Sequence, residues 1–145
     1  MRRALVIFCT VLCLAGCTPA EEPEAKTGLG DSSTATRQFT LPSKNIGCLV
    51  SAESARCDIK VKDWKPPAKP ADCEQEWGNA LTVTAEGASL SCVGDTVMGA
   101  AEILEYDKAV QVGEFVCISA RAGARCSHAP SGRGFTLARG AYTTF

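Results

Sequence analysis

The chain has 145 residues, 46% of them apolar, and a formal net charge of -1. That is room for one domain and gives no sign of a polyelectrolyte partner. From Gln38 onward, 11 Lys and Arg stand against 12 Asp and Glu, with no basic run interleaved with aromatics, so nucleic acid is not an expected partner.

Met1-Arg2-Arg3 leads into an apolar run from Ala4 to Ala15 and then Leu14-Ala15-Gly16-Cys17. A basic start, a short apolar stretch and small residues at a cut read as a signal peptide over residues 1–16, too short for a membrane-spanning helix. The last four residues resemble the lipobox of bacterial lipoproteins, whose cysteine receives a diacylglycerol and becomes the new N-terminus. The resemblance implies a lipoprotein with palmitate-type acyl chains on Cys17, extracytoplasmic and held at the cell membrane. Each buried CH₂ contributes about 0.8 kcal/mol, so two acyl chains suffice for stable attachment. An ordinary signal peptide with a chance cysteine at the cut is the alternative. Residues 17–37 follow as the lipidated cysteine and a Pro-, Glu-, Gly-, Ser- and Thr-rich tether with too little apolar surface to order itself. Twenty such residues average about 25 Å end to end.

Nine cysteines reduce to an even set once Cys9 and Cys13 fall in the removed segment and Cys17 carries lipid. In an exported chain, Cys48, Cys57, Cys73, Cys92, Cys117 and Cys126 read as a disulfide framework. Their spacing argues against a zinc cluster. The expected connectivity is sequential: Cys48 to Cys57, Cys73 to Cys92 and Cys117 to Cys126.

The folded domain is expected over residues 38–145. Its first clear element is a hairpin in which Cys48 faces Cys57, Ile46 faces Ile59 and Val50 faces Ala55, giving one apolar face. The other face carries Asn45 with Lys60, Gly47 with Asp58, Leu49 with Arg56 and Ser51 with Ser54. This is the period-two alternation of a strand pair with one buried side, broken only by Leu49. Directly opposed residues have Cα atoms close enough for a disulfide. Ala52-Glu53 lacks the Gly or Asn of a tight primed turn, so a looser four-residue connection is open. Cys117 to Cys126 repeats the spacing and the Ala-Arg-Cys ending, with Phe115 opposite His128, Ser119 opposite Ala124 and Gly123 as turn residue. Either an internal duplication or a coincidence of two short Ala- and Ser-rich strings accounts for it.

Phe39, Pro42, Ser43, Asn45, Ile46 and Cys48 resemble the opening of a family of small exported actinobacterial proteins known only as a domain of unknown function. Trp64 before Pro66-Pro67, Cys73 with Trp77-Gly78, Cys92 before Gly94-Asp95-Thr96, Leu104, Tyr106, Gly113, Phe115, Cys117, Cys126, Gly132 and Gly134-Phe135 extend the resemblance to about Phe145. It implies export, disulfides and β structure, and no activity. The chain departs from the family pattern at Asp107, His128 and Arg133, where Gly, Asn and His are usual. A chemical role of that family histidine would be lost here.

Between the hairpins, Trp64 to Pro70 reads as an extended, proline-rich crossing, and Asp72 as the cap of one short turn with Gln75 at the capping-box position. Ala80 to Thr84 and Ser89 to Val93 flank Glu86-Gly87, a hairpin signal. Val97 to Leu104 reads as a loop and a short strand, and Gly134 to Arg139 as the last arm. The fold class expected is all-β, a small antiparallel sandwich or partly open barrel stapled by three disulfides.

His128 is the one histidine, placed beside Phe115 as a partly buried structural ring; no nucleophile elbow accompanies it. Asp95, Glu102, Glu105 and Asp107 are close enough in sequence to share a cleft, against the plainer reading as solvated surface. Gly132-Arg133-Gly134 could cradle an anion or simply form a turn. Trp64 and Trp77 are candidate ligand contacts or the core's largest pieces. No metal, cofactor or catalytic residue is assigned. The expected function is a non-catalytic module on the membrane's lipid anchor, binding an envelope protein, a glycan or a small ligand. A small extracytoplasmic hydrolase using carboxylates or His128 is the alternative.

Overall fold

The structure is a computed structural model that describes residues 35–145 and the backbone of Ser32–Ser33. The signal peptide, Cys17 and most of the expected tether lie outside the described residues.

There is no helix among the described residues, and the strands form two consecutive antiparallel meanders. The first runs β2 (Arg37–Thr40), β3 (Ile46–Val50), β4 (Ala55–Ile59), β5 (Glu76–Val83) and β6 (Ala88–Val93). The second runs β7 (Ala109–Val112), β8 (Phe115–Ala120), β9 (Gly123–His128), β10 (Gly134–Leu137) and β11 (Tyr142–Thr144). Within each meander the strands stand side by side in sequence order, so each pairs antiparallel with its neighbour in the chain. A short β1 (Ser32–Ser33), inside the stretch expected as tether, joins the second sheet parallel to β7. The two sheets stack as an open sandwich, as the sequence leads one to expect.

Both stapled hairpins hold the predicted register. Cys48 pairs with Cys57 and Ile46 with Ile59; Cys117 pairs with Cys126 and Phe115 with His128. The bridges join Cys48 to Cys57, Cys73 to Cys92 and Cys117 to Cys126. In both hairpins the bridged Cα atoms lie 4.1 Å apart, the close approach of a directly opposed, non-hydrogen-bonded pair. Each hairpin is the second and third strand of its meander, so the two similar strings occupy corresponding places in the two sheets. They meet at the centre of the core, where the sulfurs of Cys57 and Cys126 touch at 3.4 Å. Around them pack Phe39, Val50, Leu81, Val83, Val112, Phe135 and Leu137, all fully buried. A buried Leu, Val or Phe is stabilised by about 1.5 to 3 kcal/mol relative to exposure, so these inward positions hold the sheets together.

The turns follow their chemistry. Ser51 closes the first hairpin by accepting the N–H groups of Glu53 and Ser54 on its Oγ, which is how a Ser substitutes for the missing Gly or Asn. Gly123 has φ 147°, and a Cβ there would lie 2.1 Å from the Leu137 carbonyl oxygen. Only glycine fits that approach.

Three expectations change. Ala109–Val112, not anticipated as an element, forms β7 at the edge of the five-stranded meander. The outer face of the first hairpin is not a water-facing side: Gly47 and Asp58 are buried, because residues 94–108, the crossover between the sheets, lie across it. Of the short strand expected after Val97, only a single parallel bridge between Thr40 and Ile103 is present.

Candidate functional site

The crossover is held by a polar cluster on β4. Asp58, 5% exposed, accepts the Val97 N–H and the Thr96 hydroxyl on Oδ2, each at 3.0 Å. Arg56 forks onto the same carboxylate at 2.9 and 3.0 Å, and also reaches the Asp95 carboxylate at 2.7 Å and its carbonyl at 2.8 Å. A buried charge is tolerable when paired and fully hydrogen-bonded, and this one is. Burial pulls the Arg56 pKa down, but the hydrogen bonds to Asp58 and Asp95 outweigh it and the net shift is upward. Asp95 is held below the usual carboxylate range by its hydrogen bond to Arg56. From β2, Gln38 donates to the Val97 carbonyl at 3.0 Å and Thr40 to that of Ala100 at 3.2 Å. Gly47 lets the loop come down: a Cβ there would lie 2.9 Å from the Val97 carbonyl oxygen.

Where the crossover passes the end of the first hairpin it leaves an open cleft of about 400 Å³. Its walls are Thr40, Lys44, Lys60, Met98, Gly99, Ala100, Ala101 and Ile103. A second cleft of about 340 Å³ adjoins it, walled by Ser43, Asn45, Ile46, Val61, Arg121 and Arg139. Ser43, Asn45 and Val61 face one cleft while Lys44 and Lys60 face the other. The turn before β3 and the step after β4 therefore form the wall between them. Arg121 and Arg139 come from the β8–β9 and β10–β11 turns.

The charged side chains lining both clefts are all cationic. Among the described residues, no carboxylate pairs with Lys44, Lys60 or Arg121; Arg139 pairs with Asp63 at 3.2 Å, and Arg121 lies over the Tyr106 ring. Lys44 has φ 56°, the left-handed region that costs a side chain bearing a Cβ roughly 1 to 2 kcal/mol. Such backbone strain concentrates at functional sites.

The residues singled out from the sequence lie elsewhere and apart. Trp64 donates its indole N–H to the Ala138 carbonyl at 3.0 Å and packs against Tyr142, the rings tilted by 52° with centroids 4.6 Å apart. Trp77 donates to the Pro67 carbonyl at 3.0 Å and faces a separate cleft with Cys73, Leu90 and Cys92. The two indoles thus anchor the proline-rich crossing, whose Pro66 sits over Gly78. Arg133, toward the opposite end, donates its guanidinium to the Glu86 carbonyl in the β5–β6 turn. Asp95 and Glu102 are each engaged by an arginine, Arg56 and Arg37, and not by one another. The Sγ atoms of Cys48, Cys57 and Cys126 lie within 4.8 Å of one another. All three are in disulfides and offer no thiolate to a metal.

His128, 6% exposed, sits beside Phe115 as expected, the rings tilted with centroids 4.9 Å apart. Its Nδ1 lies 2.9 Å from the Ser131 hydroxyl and its Nε2 3.1 Å from the Glu114 carboxylate. Neither partner was marked by the sequence, although Ser131 stands three residues on and Glu114 precedes the residue facing His128.

No curated protein and no solved structure matches the chain. Residues 24–145 match a family model that carries no assigned activity, in keeping with the order of cysteines, glycines and aromatics read from the sequence. The chain belongs to that family, the family of unknown function DUF6636.

Proposed function

We propose that the protein is a non-catalytic binding module, extracytoplasmic and tied to the cell membrane by lipid on Cys17, which takes an anionic ligand at the two-cleft end of its sandwich. The observation that carries this reading is the pair of adjoining clefts whose charged lining is cationic only. Lys44, Lys60 and Arg121 have no carboxylate partner among the described residues, while Arg139 already pairs with Asp63. Partial desolvation in a cleft strengthens the attraction of the unpartnered cations to an external anion relative to open water. Three disulfides support an oxidising compartment. The lipobox resemblance at Leu14 to Cys17 supports the anchor.

Titration of the isotope-labelled chain from Thr18 to Phe145 with inorganic pyrophosphate, followed by NMR, tests the site. The expected result is saturable movement of the Lys44, Lys60, Arg121 and Arg139 signals, abolished by Lys44→Glu with Lys60→Glu. Movement elsewhere, or none, rejects this site. Palmitate labelling of the full chain, lost in Cys17→Ala, tests the anchor.

A second reading, a small hydrolase, draws on the line Ser131, His128, Glu114. Against it, the Ser131 hydroxyl also accepts the Arg133 N–H at 3.3 Å, which ties it into its own turn. A fluorophosphonate probe that labels the protein at Ser131 would favour the hydrolase; the binding reading expects no labelling.

A further inference from the structure

We infer that the anion recognised at this end is the headgroup of an anionic lipid, so that the domain docks end-down on a negatively charged bilayer. The inference deepens the anion-site reading above and rests on it. Four features point to lipid.

The clefts combine cations with aliphatic surface. Val61 is 52% exposed and Ile103 39%, and each lines one of the two clefts, beside Arg121 and Arg139 in one case and Lys44 and Lys60 in the other. Exposed aliphatic side chains next to Lys and Arg are what an interfacial binding surface needs: the cations meet phosphate oxygens while the apolar groups leave water at the acyl boundary. No aromatic ring lines either cleft, so the stacking platform that would favour a sugar polymer is missing. Both clefts are open, as suits a headgroup presented from a surface. Finally, a chain anchored on Cys17 has about 14 residues, Thr18 to Asp31, before β1, and so short a tether holds the domain at a high local concentration against the leaflet. A weak intrinsic affinity then becomes nearly full occupancy.

The test is sedimentation of the unlipidated chain from Thr18 to Phe145, which keeps every described residue, with vesicles of phosphatidylglycerol and phosphatidylcholine or of phosphatidylcholine alone. The expected result is binding to the anionic vesicles only, weakened by salt. The double variants Lys44→Glu with Lys60→Glu and Arg121→Glu with Arg139→Glu should each lose about tenfold or more, since each basic residue near an anionic surface adds to the attraction. Val61→Asp should weaken binding further than salt alone explains. Glu53→Gln, in the β3–β4 turn, serves as a control and should change nothing. Retained disulfides and native hydrogen exchange show that each variant is folded, and Lys44→Gln with Lys60→Gln replaces any variant that is not.

A parallel titration with soluble glycerol phosphate separates the two levels of argument. If glycerol phosphate moves the cleft signals while anionic vesicles are not bound, the lipid inference is overturned and the anion site survives. If neither binds, both fall. Equal binding to neutral vesicles, or anionic binding unchanged in both double variants, also overturns it.

Discussion

Lys44 sets a conflict between backbone and side chain. Its φ of 56° suits glycine, which adopts it without the Cβ penalty. Replacing Lys44 by Gly should therefore stabilise the fold in denaturant titration, by roughly 0.5 to 1 kcal/mol once the extra chain entropy of glycine is set against the roughly 1 to 2 kcal/mol Cβ penalty, while removing a cation from the cleft and weakening anion binding. Lower stability together with unchanged binding would show that the residue is merely structural. Asp107 has the same kind of backbone, φ 65°, at a position where the resemblance read from the sequence implies Gly. Asp is among the few residues that tolerate it, so that departure is read without invoking function. Asp95 gives a pH dependence. Its folded pKa lies below its unfolded one because of Arg56, so its contribution to stability is present above an unfolded value of about 3.9. That contribution is lost as pH falls through the lower folded value. The Asp95 carboxyl should titrate below an unperturbed Asp by NMR, and Asp95→Asn should flatten the acid limb of stability against pH.

The strands and turns were largely legible, because hairpin registers depend on alternation and cysteine spacing that lie within some ten residues of each other. Phe115 opposite His128 and Cys48 opposite Cys57 follow from counting alone. Burial of Asp58 was not legible: alternation tells which face of a strand is polar, and says nothing of what later chain will lie on it. The cleft cations were missed for a related reason. Lys44, Lys60, Arg121 and Arg139 stand in four connections far apart in sequence, and only the meander topology brings those connections to one end. Alternate turns of an antiparallel meander fall at the same end, and that parity was the available signal. The disulfides differ as elements too. Cys92 is exposed, whereas Cys48, Cys57, Cys117 and Cys126 are wholly buried. Thiolate attack needs access, so graded reduction followed by alkylation and mass spectrometry should mark Cys73 and Cys92 first. Opening that bridge alone should cost about 3 kcal/mol, the loop-closure contribution for its span.

At the scale of the molecule, each described disulfide closes a loop inside one meander: two in the first, one in the second. The crossover is the one covalent link between the meanders among the described residues. A protease cut in the exposed stretch near Gly99 and Ala101 should thus give two disulfide-closed pieces that stay together in native buffer. They should separate in denaturant without reductant, and a piece that remains attached would disprove the connectivity. The same arrangement makes the molecule modular in assembly. Each meander can form and oxidise as soon as its own residues are made, without waiting for the other, and no bridge has to find a partner across the sandwich. It also leaves open an exchange of halves: two chains that unfold at the crossover can each lend a finished meander to the other, trading partners with every described disulfide still intact.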